Sequence, residues 1–82
     1  MNLELYTDAV LNTDLPECGL MRGDIVKLVD DLTAGDGTRG YAVEIFNARG
    51  ETVDVQMIPA SAVNPLREDE ILCVRPRLAA VA

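Results

Sequence analysis

The groups in this 82-residue chain best placed to do chemistry are fourteen carboxylates, two thiols and one serine hydroxyl; there is no histidine. Without an imidazole, neither a Ser-His nor a Cys-His pair can form. Ser61 follows a strand-ending proline and has no neighbour to act as its base. Cys18 and Cys73 lie far apart in the sequence and form no C-x-x-C motif. Two thiols fall short of the four N or S ligands that structural zinc takes. Asp30 and Asp31 with Asp36 offer oxygen ligands for calcium, but the spacing is not that of an EF-hand. Gly35-Asp36-Gly37 is followed by neither G-K-[ST] nor a helix, so it is a hairpin loop and not a phosphate cradle. The sequence therefore implies no catalytic residue, no metal and no cofactor.

What remains for the carboxylates is recognition. Fourteen acidic residues against seven basic ones leave a net charge of −7. Such a surface repels nucleic-acid phosphates and anionic membrane, and it attracts and steers a basic protein. The residues expected to meet such a partner are Glu17, Asp30, Asp31, Asp36 and the run Glu68, Asp69, Glu70. Asp24 has a different task, accepting backbone amides in the turn before a strand. The only aromatics are Tyr6, Tyr41 and Phe46, too few for the groove that holds proline-rich peptides.

Short strands must position these groups. The length fits one domain, residues 1–82. Residues 1–6 form a lead-in of at most one helical turn. Strands are expected at 7–12, 24–32, 41–46, 53–58, 63–66 and 71–74, with a tail from 75 onward frayed. Pro16 and Gly19 shape the turn after the first strand, Gly19 at positive φ. Leu20 and Met21 then cover one end of the core. In the second strand Ile25, Val26, Leu28 and Val29 cannot all share one face. Either both faces are partly buried or a bulge near residues 29–31 reverses the phase.

Tyr41, Val43 and Ile45 share a face in the third strand. Asn47-Ala48-Arg49-Gly50 reads as a type I turn with a glycine bulge. The fourth strand alternates most cleanly, and its apolar residues Val53, Val55 and Met57 are expected to point inward. Ala60-Ser61-Ala62 is long enough for one 3₁₀ turn, and Pro65 suits an edge strand. Cys73 is expected in the core and Cys18 partly exposed. The sum is an all-β fold, a small SH3-like (KOW-like) antiparallel barrel of five to six short strands. An oligonucleotide/oligosaccharide-binding barrel is the alternative, though it needs longer strands and a helix.

The order L-P-E-x-G-L-x-x-G-D, Y-x-V-E-I, G-x-T, I-P-A and P-L-R-x-D-E-I-L-x-V-R resembles a small bacterial family known as domain of unknown function 4926. The segments lie at residues 15–24, 41–45, 50–52, 58–60 and 65–75. The resemblance implies an SH3-like fold and no established activity. It also suggests pairing with a neighbouring gene's product, as an antitoxin or immunity protein does. G-D-I-V-K-L-V followed by Y-A-V-E-I is similar, at the level of fold, to KOW and nitrile-hydratase β-subunit barrels. Two functions compete: a non-catalytic interaction module, or a structural accessory or assembly subunit of a larger enzyme. The acidic N-terminus has no apolar run of a signal peptide, and no segment approaches the ~20 apolar residues of a membrane span. A cytoplasmic location with reduced thiols is the expectation.

Overall fold

The computed structural model describes residues 4–77. Five strands form one antiparallel sheet: β1 (Asp8–Leu11), β2 (Ile25–Thr33), β3 (Arg39–Phe46), β4 (Thr52–Pro59) and β5 (Val63–Pro65), in the order β4-β3-β2-β1-β5. Two 3₁₀ turns, Pro16–Cys18 and Ala60–Ala62, complete the regular structure among the described residues. Residues 5 and 6 form a turn and no helix, with Tyr6 at a φ of 63°. Residues 1–3 of the expected lead-in lie outside the described residues. No helix among them is long and apolar enough to cross a membrane.

The core shows that the sheet curls. Ile58 on one edge strand and Val63 on the other belong to a single buried cluster with Ala9, Leu11, Val26, Leu28, Tyr41, Val43 and Ile45. In a flat sheet those edges would stand roughly 19 Å apart, at about 4.8 Å per strand. The 3₁₀ turn Ala60–Ala62 carries the chain from one edge to the other and buries Ala62. This is the small all-β barrel architecture expected from the strand pattern.

Two bulges set the faces. The β2–β3 register shifts between Leu28 and Asp30, leaving Val29 as the extra residue. The suspected reversal of phase in β2 is therefore a bulge. The β3–β4 register shifts between Ile45 and Phe46, where Val53 is the extra residue. The Asn47–Gly50 turn closes this hairpin, with Gly50 at a φ of 82° and its amide donating to the Asn47 carbonyl. Gly40 is required for another reason. A Cβ there would lie 2.7 Å from the Ile58 carbonyl oxygen.

Three expectations are overturned. The faces of β4 are the reverse of those anticipated: Asp54, Gln56 and Ile58 lie on the inner side, and Val53, Val55 and Met57 are exposed. Their partners fix this, since Asp54 stands opposite Ile45, Gln56 opposite Val43 and Ile58 opposite Tyr41, all three of them core residues. Alternation separates the two faces of a strand but does not say which is covered.

The sixth strand does not form. Residues 71–74 lack regular structure and pair with no strand among the described residues. One of the two edges of the sheet, β5, is only three residues long and ends in Pro65, without an amide hydrogen. The thiols are also exchanged, Cys18 being buried and Cys73 exposed, and both are free. Of the two residues expected to cover one end of the core, Leu20 is buried and Met21 is 37 % exposed.

The reversed β4 has a direct consequence. Val55→Asp places its carboxylate in water but directly opposite Glu44, and costs about 1 kcal/mol through lost strand propensity and like-charge repulsion. Ile58→Ala opens a cavity and costs about 2–5 kcal/mol. Gly40→Ala drives a methyl group into backbone and is destabilising as well. Urea denaturation of the three variants checks the order.

Candidate functional site

The residues expected to bind a partner do not converge on one place. Glu17 is exposed on the first 3₁₀ turn. Asp30, Asp31 and Asp36 lie along the β2–β3 hairpin, and Glu68, Asp69 and Glu70 follow β5. Several have local duties. Asp31 pairs with Arg39 at 2.9 Å. Asp36 accepts the Thr38 amide at 2.9 Å, and its bonds to Thr38 hold its carboxyl below the usual range. Asp69 pairs with Arg67 at 2.7 Å, and Glu70 accepts the Arg67 amide at 2.6 Å. No three of the described cysteine, aspartate or glutamate side chains gather closely enough to hold a metal ion.

Two features of the outer surface stand out instead. The first is the outer face of β3 and β4. Directly opposed residues share a face, so Val55 sits beside Glu44, and Glu44 beside Lys27. Met57 sits beside Ala42, and Ala42 beside Asp30. Val55 and Met57 retain 55 % and 74 % of their accessible surface. β4 is also an edge of the sheet, pairing only with β3 among the described strands. The result is an apolar strip bordered by Asp30 and Glu44, with Glu51 at the head of the strand. Lys27, the only lysine in the chain, is in the next row with its ammonium 5.3 Å from the centre of the Phe46 ring.

The second is the segment after β5. It is pinned by two arginines that the sequence did not single out. Arg75 donates from Nε to Asp24 Oδ1 at 2.9 Å and from Nη2 to Asp24 Oδ2, forming a two-pronged pair. Asp24 raises the affinity of that guanidinium for its proton further, chiefly through these bonds. The same carboxylate accepts the Met21 amide at 2.8 Å, the turn-capping role expected of it. Arg77 reaches Asp54 at 2.8 Å and the Cys18 carbonyl at 2.9 Å. The expected fraying thus does not begin at Arg75; residues 78–82 lie outside the described residues.

Between this strap and the sheet lies an open cleft of about 610 Å³, walled by Ile25, Lys27, Phe46, Leu72, Val74 and Arg75. Cys73 also lines it, but no histidine exists to take its proton. Cys18 is a still poorer nucleophile. Burial pushes its thiol up, and the negative charges of Glu17 and Asp54 add to the effect.

The site is therefore a set of surfaces on a small all-β barrel. A family model for a domain of unknown function, DUF4926, matches residues 5–65. The chain belongs to that family. The match covers all five strands and stops before the strap. Neither a curated protein nor a solved structure matches the chain.

Asp54 supplies a pH test. Its carboxyl is held below the ordinary 3.8 by the bond from Gln56, then by those from Arg77 and the Val55 amide. Between the lowered folded value and the ordinary one, the unfolded chain binds more protons. The stabilisation is complete above the ordinary value and is lost as pH falls through the folded one. Thermal melts taken from about pH 5 down to about pH 2 should show falling stability. Arg77→Gln should flatten that fall.

Proposed function

We propose that this protein is a non-catalytic interaction module, the acidic partner of a basic protein, in the manner of an antitoxin or immunity protein. The observation that carries this reading is the exposed apolar strip of β4, Val55 and Met57, fringed by Asp30, Glu44 and Glu51. Interfaces draw their energy from a few apolar residues at the centre of the patch. Charge around the rim sets the rate and the choice of partner. An apolar strip with an acidic border fits a partner surface with an apolar centre and a basic border. The net charge of −7 adds a long-range field of the same sign. Among the described strands β4 pairs only with β3, so the other side of its backbone offers an edge to the same partner.

The test uses the full chain, immobilised and exposed to extract of its native host at low salt. A small basic protein is retained by the unmodified chain and lost by Val55→Glu/Met57→Glu, whose fold is unchanged. Its association rate falls as salt shortens the reach of the field to ~8 Å at 0.15 M. A rate indifferent to salt, or retention by the double variant, overturns the reading.

A further inference from the structure

The strap carries four consecutive apolar residues, Ile71-Leu72-Cys73-Val74, on the surface of an acidic protein. Ile71 and Val74 are 86 % and 89 % exposed, and Leu72 is nearly as open. None of the four takes part in a backbone–backbone hydrogen bond among the described residues. Their ends are nonetheless fixed. On one side the Arg67 carbonyl accepts the Glu70 amide, closing a turn that Arg67 and Asp69 brace. On the other, Arg75 is clamped to Asp24. A β-prone apolar run held at both ends, with its backbone groups open, is a template for another strand.

The sequence around it indicates which strand. Residues 67–77 read R-E-D-E-I-L-C-V-R-P-R, with three acidic and three basic side chains. This stretch is charge-balanced in a chain of net charge −7. The signs are also ordered, the acids gathered before the apolar run and two of the arginines after it. An antiparallel pairing with an identical segment, centred between Leu72 and Cys73, sets Ile71 opposite Val74 and Leu72 opposite Cys73. The same register sets Glu70 opposite Arg75 and Glu68 opposite Arg77. Opposite charges directly across an antiparallel pair stabilise it, and like charges destabilise it.

We infer that residues 71–74 pair with the same residues of a second copy, forming a two-fold symmetric antiparallel ribbon in that register. Self-complementarity is what a two-fold interface requires of a surface patch. Arg75 and Arg77 stay in their own-chain pairs with Asp24 and Asp54, so Glu70 and Glu68 of the second copy meet a neutral pair there and not a like charge. Their clamps present the strand and hold it to the body of each copy. The ribbon uses the strap and leaves the β3–β4 face free, so it stands independently of the proposed partner surface.

Cysteine trapping tests the register on the full chain. In a Cys73→Ser background, Ile71→Cys/Val74→Cys gives a covalent dimer under mild oxidation. Within one extended segment those two positions are roughly 10 Å apart, too far to bridge internally. Ile71→Cys alone in the same background gives none, because its counterpart is as distant across the two-fold axis. In sedimentation equilibrium the unmodified chain dimerises. Leu72→Glu weakens that association at least tenfold with no change in circular dichroism. A chain that stays monomeric at millimolar concentration overturns the inference. So does trapping of the single variant as readily as the double one, or a dimer indifferent to Leu72→Glu.

Discussion

The carboxylate of Asp24 ties together parts of the chain that otherwise share little. One of its oxygens accepts the Met21 amide and closes the turn into β2. Both oxygens receive the guanidinium of Arg75, fifty-one residues away. Its backbone carbonyl accepts the Leu11 amide, linking that turn to the end of β1. The pair is largely shielded, with side-chain exposures of 27 % for Arg75 and 18 % for Asp24. Removing one partner from such a pair leaves the other charge desolvated and uncompensated, which costs more than the intact pair contributes. A domain of this size buries only roughly 60 % of its unfolded surface. One well-placed ion pair therefore weighs more here than it would in a larger protein.

That weight explains the arrangement of charge along the strap. Among the described residues no strand pairs with residues 71–77, and their side chains are mostly exposed. They are fixed by Arg75 on Asp24 and by Arg77 on Asp54 and the Cys18 carbonyl. Polar anchors thus do what a ladder of backbone bonds does elsewhere in the barrel. The anchors hold the ends and leave the apolar middle uncovered. Burial of Ile71, Leu72 and Val74 contributes little to the fold, and the same residues are free to contribute to association.

Much of the architecture was legible because turn chemistry is local. Gly19 and Gly50 take positive φ where the turns need it, Ala60-Ser61-Ala62 forms its 3₁₀ turn, and the bulge falls at Val29. Tyr41, Val43 and Ile45 point inward because β3 has a neighbour on each side and a covered inner face. β4 was misread because its outer face is the more apolar one. Val53, Val55 and Met57 follow the alternation of a core strand, whereas Asp54 and Gln56 occupy the inner side. They do so at little cost: Gln56 donates to Asp54 at 2.7 Å, and Arg77 arrives from the far end of the chain. A polar network completed by a residue twenty-three positions away leaves no mark in the local pattern. Cys18 was misplaced for a similar reason, since Arg77, bonded to its carbonyl, lies fifty-nine positions on.

The reversed face of β4 and the segment 71–74, unpaired among the described strands, are the surfaces of interest. Sequence patterns of an apolar strand are shaped by burial, whether against the chain's own core or against another molecule. The outer face of β4 and residues 71–74 both carry the pattern of core strands, and among the described residues Val53, Val55 and Met57 of the one and Ile71, Leu72 and Val74 of the other are left exposed. In a small acidic domain, exposed apolar side chains carry a solubility cost that charge elsewhere must offset. The two segments differ in their charge, and that difference separates the partners proposed for them. The border of the β4 strip is acidic and complements a basic surface. The strap is balanced, with its signs ordered so that it complements itself. The family match covers residues 5–65, and the strip lies within it. The proposed recognition through the strip and the inferred self-association through the strap can then vary independently, since neither surface needs a residue of the other.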